Sequence, residues 1–271
     1  MAICSNTQTN QQAIYDNHIV PMTIQQQSRA HIAGYSIMPL DADGTPSANG
    51  KVGFLSVGPS SMVQIFNAFM EHDRRKGFKR DEVVLCNGAE GGYDSAMQAD
   101  PGSDYWDKLD MKLARAGLEA AQVQACWVYA ATKFEVLPYP EHAIVLQGYL
   151  ESIVDILLER FPNIKVIAFT SREYGGYSSL QTSLEPWARE GGYAIDALVR
   201  DNETSNTVPW IGWGPYTWAD GLNARPDGLA YRCSDFEKDG LHPGRGVERK
   251  VVKMLLSWLM SHPAGSWFSR G

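Results

Sequence analysis

The stretch "DFEKDGLHPGRG" at residues 235–246 sets an aspartate, Asp239, three residues ahead of a histidine, His242, in a Gly/Pro-rich loop that leads into a helical pattern. Asp-x-x-His on one loop lets the carboxylate meet Nδ1 of the imidazole. That contact fixes the tautomer and leaves Nε2 able to take a proton from a hydroxyl. The plain alternative is a surface turn carrying an exposed pair, which contributes little. A third reading joins Asp235, Asp239 and His242 around a metal, but no further ligand set accompanies them, and neither metal nor cofactor is expected. The other histidines (His18, His31, His72, His142 and His262) have no comparable setting, and His72 and His262 fall near predicted helix ends, where they are expected to face solvent.

A histidine base needs a nucleophile and a place to hold negative charge. In "GPSSM" (58–62), Gly58 and Pro59 make a tight exit, and Ser60 and Ser61 open the helix that follows. A serine there is either a helix N-cap, the commoner use, or a hydroxyl presented at the positive end of a helix. The segment lacks the glycines and lysine of a phosphate-binding P-loop. "NGAEGGYDSAM" (87–97) carries three glycines within five residues. It reads equally as a turn or as backbone N–H groups offered to a developing oxyanion.

The elements that must position these groups follow from periodicity. Short apolar runs at 51–57, 82–87, 121–130, 164–171 and 209–214 predict strands. Helical spacing, such as Met62, Ile65, Phe66 and Phe69, or Leu146, Leu150, Ile153, Leu157 and Phe161, predicts helices over 61–75, 104–117, 141–163, 185–202 and 246–260. Strands alternating with helices imply right-handed βαβ crossovers, and so a three-layer α/β/α sandwich around a mostly parallel five-stranded sheet. Ligands of such sheets bind beyond the carboxyl ends of the strands. One domain is expected over residues 1–271, with 1–50, rich in Gln, Asn, Thr and Ser, as a wrapping extension of little regular structure.

On these residues the chain resembles the SGNH, or GDSL-type, hydrolase superfamily across roughly residues 50–262. "DGLHP" with its amphipathic helix carries most of the likeness. "SVGPSSM" is similar to the first block, with Gly58-Pro59-Ser60 for Gly-Asp-Ser, and "NGAEGG" to the second. "SREYGGYSS", "EPWAREGGYAIDAL", "WIGWGPYTWADG" and "RPDGL" resemble an uncharacterised bacterial branch. The resemblance implies a flavodoxin-like sheet and a cofactor-free esterase acting on short acyl groups, O-acetyl groups of carbohydrate among them. It implies Ser60 rather than Ser61 as nucleophile, His242 as base and Asp239 as its orienter. The oxyanion donors it implies are the backbone N–H groups of Ser60 and of Gly92 or Gly91. Two departures stand out. Pro59 replaces an aspartate. The third block, Gly-x-Asn-Asp, should follow the third strand, yet "WVYAATKF" holds no asparagine, leaving Tyr129, Thr132 and Asn87 as candidate substitutes.

Two rivals share the pattern. One is a catalytically weak or inactive carbohydrate-binding protein on the same fold, in which Trp127, Tyr174, Tyr177, Trp210, Trp213, Tyr216 and Trp218 line a cleft rather than fill the core. The other is a flavin carrier, for which "GPSSM" is too short a phosphate loop. The bulk numbers narrow the partners. The 271 residues are 44% apolar, enough for a substantial core, and carry a net charge of −7. That balance disfavours binding to nucleic acid or to anionic lipid. Cys4, Cys86, Cys126 and Cys233 are too scattered for a disulfide framework or a zinc site, and Cys86 and Cys126 read as small core residues. No signal-peptide pattern opens the chain and no apolar run approaches a membrane span, so a soluble protein is expected.

Overall fold

Five parallel strands form the middle layer: β1 (Val52–Val57), β2 (Val83–Asn87), β3 (Val123–Tyr129), β4 (Val166–Thr170) and β5 (Trp210–Trp213), in the order β2-β1-β3-β4-β5. The structure is a computed structural model, and it describes residues 22–133, 137–180, 184–203 and 209–270. Side chains alternate across the sheet, as the two-residue repeat of a strand requires. Phe54, Trp127 and Ala168 face one apolar cluster, while Leu55, Val128 and Ile167 face the other. The first cluster is closed by α1 (Ile24–Ser36), α2 (Ser60–Lys76) and α7 (Arg245–Ser261), and the second by α4 (Asp104–Ala116), α5 (Glu141–Arg160) and α6 (Trp187–Asp201). The result is the three-layer α/β/α sandwich. With helices on both faces, β1, β3 and β4 are buried along their whole length, which is why they read as continuous apolar runs.

Helix ends follow local chemistry. α2 stops at Gly77, whose φ of 68° is the left-handed conformation glycine adopts without steric cost, and Arg74, Arg75 and Lys76 complement its negative end. α4 starts at Ser103, whose hydroxyl accepts from the Tyr105 N–H, and stops at Gly117 with φ 68°.

The amino-terminal region departs from expectation. Residues 1–21, with Cys4 and His18, lie outside the described residues, but 24–36 form a helix, α1, where little regular structure is expected. Its start is a capping box: Thr23 Oγ1 accepts from the Gln26 N–H and Gln26 Oε1 accepts from the Thr23 N–H. Periodicity misses it because α1 buries only Ala30, Ala33 and Gly34. It packs by close approach instead: a Cβ on Gly34 would fall 2.3 Å from the Pro263 carbonyl oxygen. A short helix, α3 (Ser95–Gln98), is also absent from the sequence reading.

Three further corrections concern single residues. His262 is half-buried rather than fully exposed. Its ring stacks on Trp258, with centroids 4.7 Å apart, and lies against Trp210. His142 is 1% exposed, with Nε2 2.7 Å from Thr132 Oγ1 and Nδ1 2.9 Å from Glu190 Oε2. Cys233 is disulfide-bonded, whereas Cys86 and Cys126 are buried free thiols, the Cys86 thiol pushed up to about 11 by burial. Among the described residues, no helix is long and apolar enough to cross a membrane.

Candidate active site

The strand order reverses at β1, whose neighbours β2 and β3 lie on opposite sides. That reversal opens a crevice at the carboxyl edge of the sheet. Ser60, three residues past the end of β1, is the first residue of α2. Glycine is needed on the way. A Cβ on Gly58 would sit 2.7 Å from Met62 Cβ and 2.9 Å from Tyr129 Cβ, so any side chain would force the strand and helix apart. The N-cap of α2 is Pro59, which makes no side-chain cap bond, so Ser60 is not the cap. Its Oγ instead lies 2.8 Å from His242 Nε2, a contact between residues 182 positions apart in the chain.

His242 Nδ1 lies 2.6 Å from Asp239 Oδ2. The other carboxylate oxygen, Oδ1, accepts from the backbone N–H groups of Leu241 and His242, both at 2.9 Å. Burial pushes the Asp239 carboxyl up. The hydrogen bonds from the imidazole and the two N–H groups, with the charge of His242, outweigh it and hold the group below the usual carboxylate range. Gly240, with φ 65°, makes the turn between them; a Cβ there would collide with the Tyr177 carbonyl. The loop is pinned from the segment after β4: Arg172 Nη2 donates to Leu241 O at 2.9 Å and the Ser179 N–H donates to Asp239 O at 2.8 Å. Asp235 stands apart, its Oδ2 engaged by Lys250 Nζ and the Arg232 N–H. Among the described residues no His/Cys/Asp/Glu group is arranged to hold a metal ion.

The glycine loop after β2 packs onto Ser60. A Cβ on Gly91 would lie 3.8 Å from Ser60 Cβ, and the Glu90 N–H donates to Gly58 O at 3.0 Å. Gly92 has φ 89° with open space where a Cβ would be, so backbone conformation rather than crowding selects glycine there. The exit of β3 is fixed by α3: the Ser95 N–H donates to Ala131 O, the Ala131 N–H donates to Ser95 Oγ, and the Lys133 N–H donates to Asp94 Oδ2.

These segments enclose a cavity of about 340 Å³. Each strand end contributes to its wall: Ser60 after β1, Gly92 after β2, Thr132 after β3, Arg172 after β4, and His242 from the loop after β5. Ser61 also reaches the wall, but its side chain hydrogen-bonds the Tyr129 hydroxyl rather than an imidazole. The aromatic cleft of the carbohydrate-binding alternative is not here. Trp127, Tyr174, Tyr177, Trp210 and Trp218 are buried, and Trp213 and Tyr216 line a separate cavity of about 450 Å³ beside β5 that shares no residue with the first. Among the described residues, Tyr93 is the aromatic residue in the wall beside His242.

Sequence reasoning missed two polar groups behind the site. Tyr129 donates to Glu173 Oε2 at 2.6 Å, both residues fully buried, and burial raises the Glu173 carboxyl and the Tyr129 hydroxyl above their ordinary values. Arg172 was missed as the residue holding the histidine loop. Both sit in "SREYGG", directly after β4, where the rule about strand ends already points.

No family model matches the chain, and no curated protein matches it. Solved structures with a related chain path exist at low identity. A gut microbial diltiazem-metabolizing enzyme is 12% identical at a TM-score of 0.45, over 79% of this chain and 47% of that one, so this chain spans less than half of that enzyme's length. The periplasmic domain of a lipopolysaccharide acetyltransferase from Salmonella ser. Paratyphi A is 11% identical at 0.46, over 92% of this chain and 100% of that one. An alpha/beta hydrolase enzyme from the metagenome of Lake Arreo, Spain, is 13% identical at 0.43, over 82% and 99%.

Proposed function

We propose that the protein is a serine ester hydrolase of the SGNH type, acting on short-chain esters through an acyl-enzyme, with Ser60, His242 and Asp239 as its triad. The observation that carries this reading is the unbroken hydroxyl–imidazole–carboxylate line, 2.8 Å and then 2.6 Å, opening onto a cavity at the carboxyl edge of the sheet. Asp239 accepts from Nδ1–H, so Nε2 presents its lone pair to the Ser60 hydroxyl. As Oγ attacks the ester carbonyl carbon, its proton passes to Nε2. The carbonyl oxygen takes the negative charge and is held by the N–H groups of Ser60, at the positive end of α2, and of Gly92. Collapse expels the alcohol, which receives the proton from Nε2, and leaves Ser60 acylated. Water then loses a proton to Nε2, attacks the acyl carbon, and releases the carboxylic acid with Ser60 restored. Every step uses protein groups and water.

A cavity of this size, with Tyr93 in its wall, suits a small acyl group better than a long chain. Acetyl esters, including acetylated sugars, are the substrate class we assign. A fluorophosphonate probe tests the reading. Wild-type protein should label at Ser60 and hydrolyse p-nitrophenyl acetate, and Ser60→Ala should do neither. A folded wild-type protein that neither labels nor turns over acetyl esters would exclude the proposal in favour of a binding role.

A further inference from the structure

Arg172 is a buried cation in the wall of the catalytic cavity. It stands two residues past the end of β4, lines the same wall as Ser60 and His242, and is 5% exposed. Its Nη2 donates to Leu241 O at 2.9 Å, while Nε is closed off from solvent and has no hydrogen-bond partner. The acids around it are engaged elsewhere. Asp239 holds the His242 imidazole. Asp94 accepts from the Met97 N–H through Oδ1 and from the Lys133 N–H through Oδ2. Glu173, the next residue in the chain, accepts from Tyr129 through Oε2. The charge of Arg172 pulls the Glu173 carboxyl down, but burial pushes it up and wins, so this acid is a poor counter-charge.

A guanidinium taken out of water carries a desolvation cost that an anion must offset. Holding one backbone carbonyl does not explain that cost, because a neutral amide side chain could donate to Leu241 O at less expense. Lys133 brings a second positive charge to the same wall, where Asp94 supplies the negative one. That local excess stands in a chain of net charge −7, whose overall field repels anions. The pull on an anion is therefore a property of this cavity. Its direction follows from the loop. The alcohol of the ester leaves with the proton from His242 Nε2, so it lies on the imidazole's side. Arg172 is tied to Leu241, the residue before that histidine, which sets the guanidinium nearer the alcohol portion than the acyl portion.

We propose that Arg172 is the specificity-determining residue of this site, pairing with a carboxylate carried on the alcohol part of the ester. The substrate class narrows to acetyl esters of hydroxy acids, acetylated acidic sugars among them. The inference rests on the esterase reading of Ser60. The planar N–H groups of a guanidinium match the two oxygens of a carboxylate. Arg172 keeps its protons throughout, and the chemistry stays with Ser60 and His242.

The test uses 4-acetoxybenzoate and 4-acetoxybenzamide, which share their shape and acetyl group and differ by one negative charge. Each is assayed with full-length wild type, Arg172→Gln, Arg172→Lys and Arg172→Met, and each rate is divided by that of the same ester in hydroxide. Any loosening of the histidine loop slows both esters alike and cancels in the ratio of their kcat/KM values. Wild type should favour the benzoate by about 10–100-fold. Arg172→Gln and Arg172→Met should bring the ratio to within about threefold of one, chiefly by raising KM for the benzoate. Arg172→Lys keeps the charge without the fork and should retain part of the preference. A purely structural role would lower both rates and leave the ratio where it was. If one neutral variant does not fold, the other carries the comparison, and the wild-type ratio is decisive by itself. A wild-type ratio within about threefold of one, or a ratio unchanged in a folded neutral variant, overturns the inference; labelling at Ser60 then leaves the esterase reading standing. A wild type that neither labels nor turns over either ester overturns both.

Discussion

Asp239 and His242 show how one short loop fixes an imidazole against a carboxylate. Asp239 uses one oxygen to cap its own turn and the other to hold Nδ1. Replacing Asp239 by Asn keeps the shape but offers an N–H to Nδ1. That selects the tautomer with a proton on Nε2, which cannot receive one from Ser60. Asp239→Asn should lower kcat by about 10⁴ with the fold intact, by analogy with the same change in a serine protease. Circular dichroism alongside acetyl-ester kinetics checks it, and an Asn variant of near wild-type rate would remove Asp239 from the mechanism. Its lowered pKa adds that Asp239 stays ionised into mild acid, so protonation of this carboxyl is not the source of a rate loss there.

At the scale of elements, the site depends on how strands hand over to helices. Gly58 lets β1 turn into α2 within one residue of contact with Tyr129 on β3. Gly58→Ala should cost about 1–3 kcal/mol by overpacking and shift Ser60 away from His242, so activity should fall more than the melting temperature suggests. Arg172 acts on the other partner, its guanidinium holding the Leu241 carbonyl. Arg172→Met keeps the stem and removes that bond, and it should slow Ser60 labelling while the circular dichroism spectrum stays that of the wild type. Equal labelling rates in variant and wild type would remove Arg172 from the positioning of His242. For α1 the capping box is the fixed point: Thr23→Ala should cost about 1 kcal/mol, seen as a lower thermal midpoint with unchanged turnover.

At the scale of the whole molecule, two apolar clusters grip a sheet buried on both faces, and the carboxyl edge is left to carry the polar groups. Far from that edge, His262 packs between Trp258 and Trp210 and accepts from the Ala264 N–H through Nδ1. Burial, aided by the nearby charge of His31, pushes its pKa down from 6.5 to about 4. The folded state therefore holds the neutral ring while the unfolded chain takes up a proton below pH 6.5. Stability from this group is fully present above pH 6.5 and is lost as pH falls toward about 4, a change of roughly 3 kcal/mol. Denaturant unfolding between pH 7 and 4 should show a steeper loss for wild type than for His262→Asn, which keeps an acceptor for Ala264. Parallel curves for the two proteins would discount His262 as the source.

The sequence by itself determined the layer architecture and the pairing of Asp239 with His242. Apolar runs alternating with helical spacing define βαβ units, and Asp-x-x-His defines its own geometry because both residues lie on one loop. Contacts of that kind are local, so spacing records them. What only the tertiary structure decided depends on residues far apart in the chain. The meeting of Ser60 with His242, the burial of His262, and the convergence of Thr132, His142 and Glu190 follow from strand order and register, which no local pattern encodes. The helix α1 escaped for a related reason: its packing uses small residues against the carboxyl-terminal segment, and close approach leaves no apolar stripe to read.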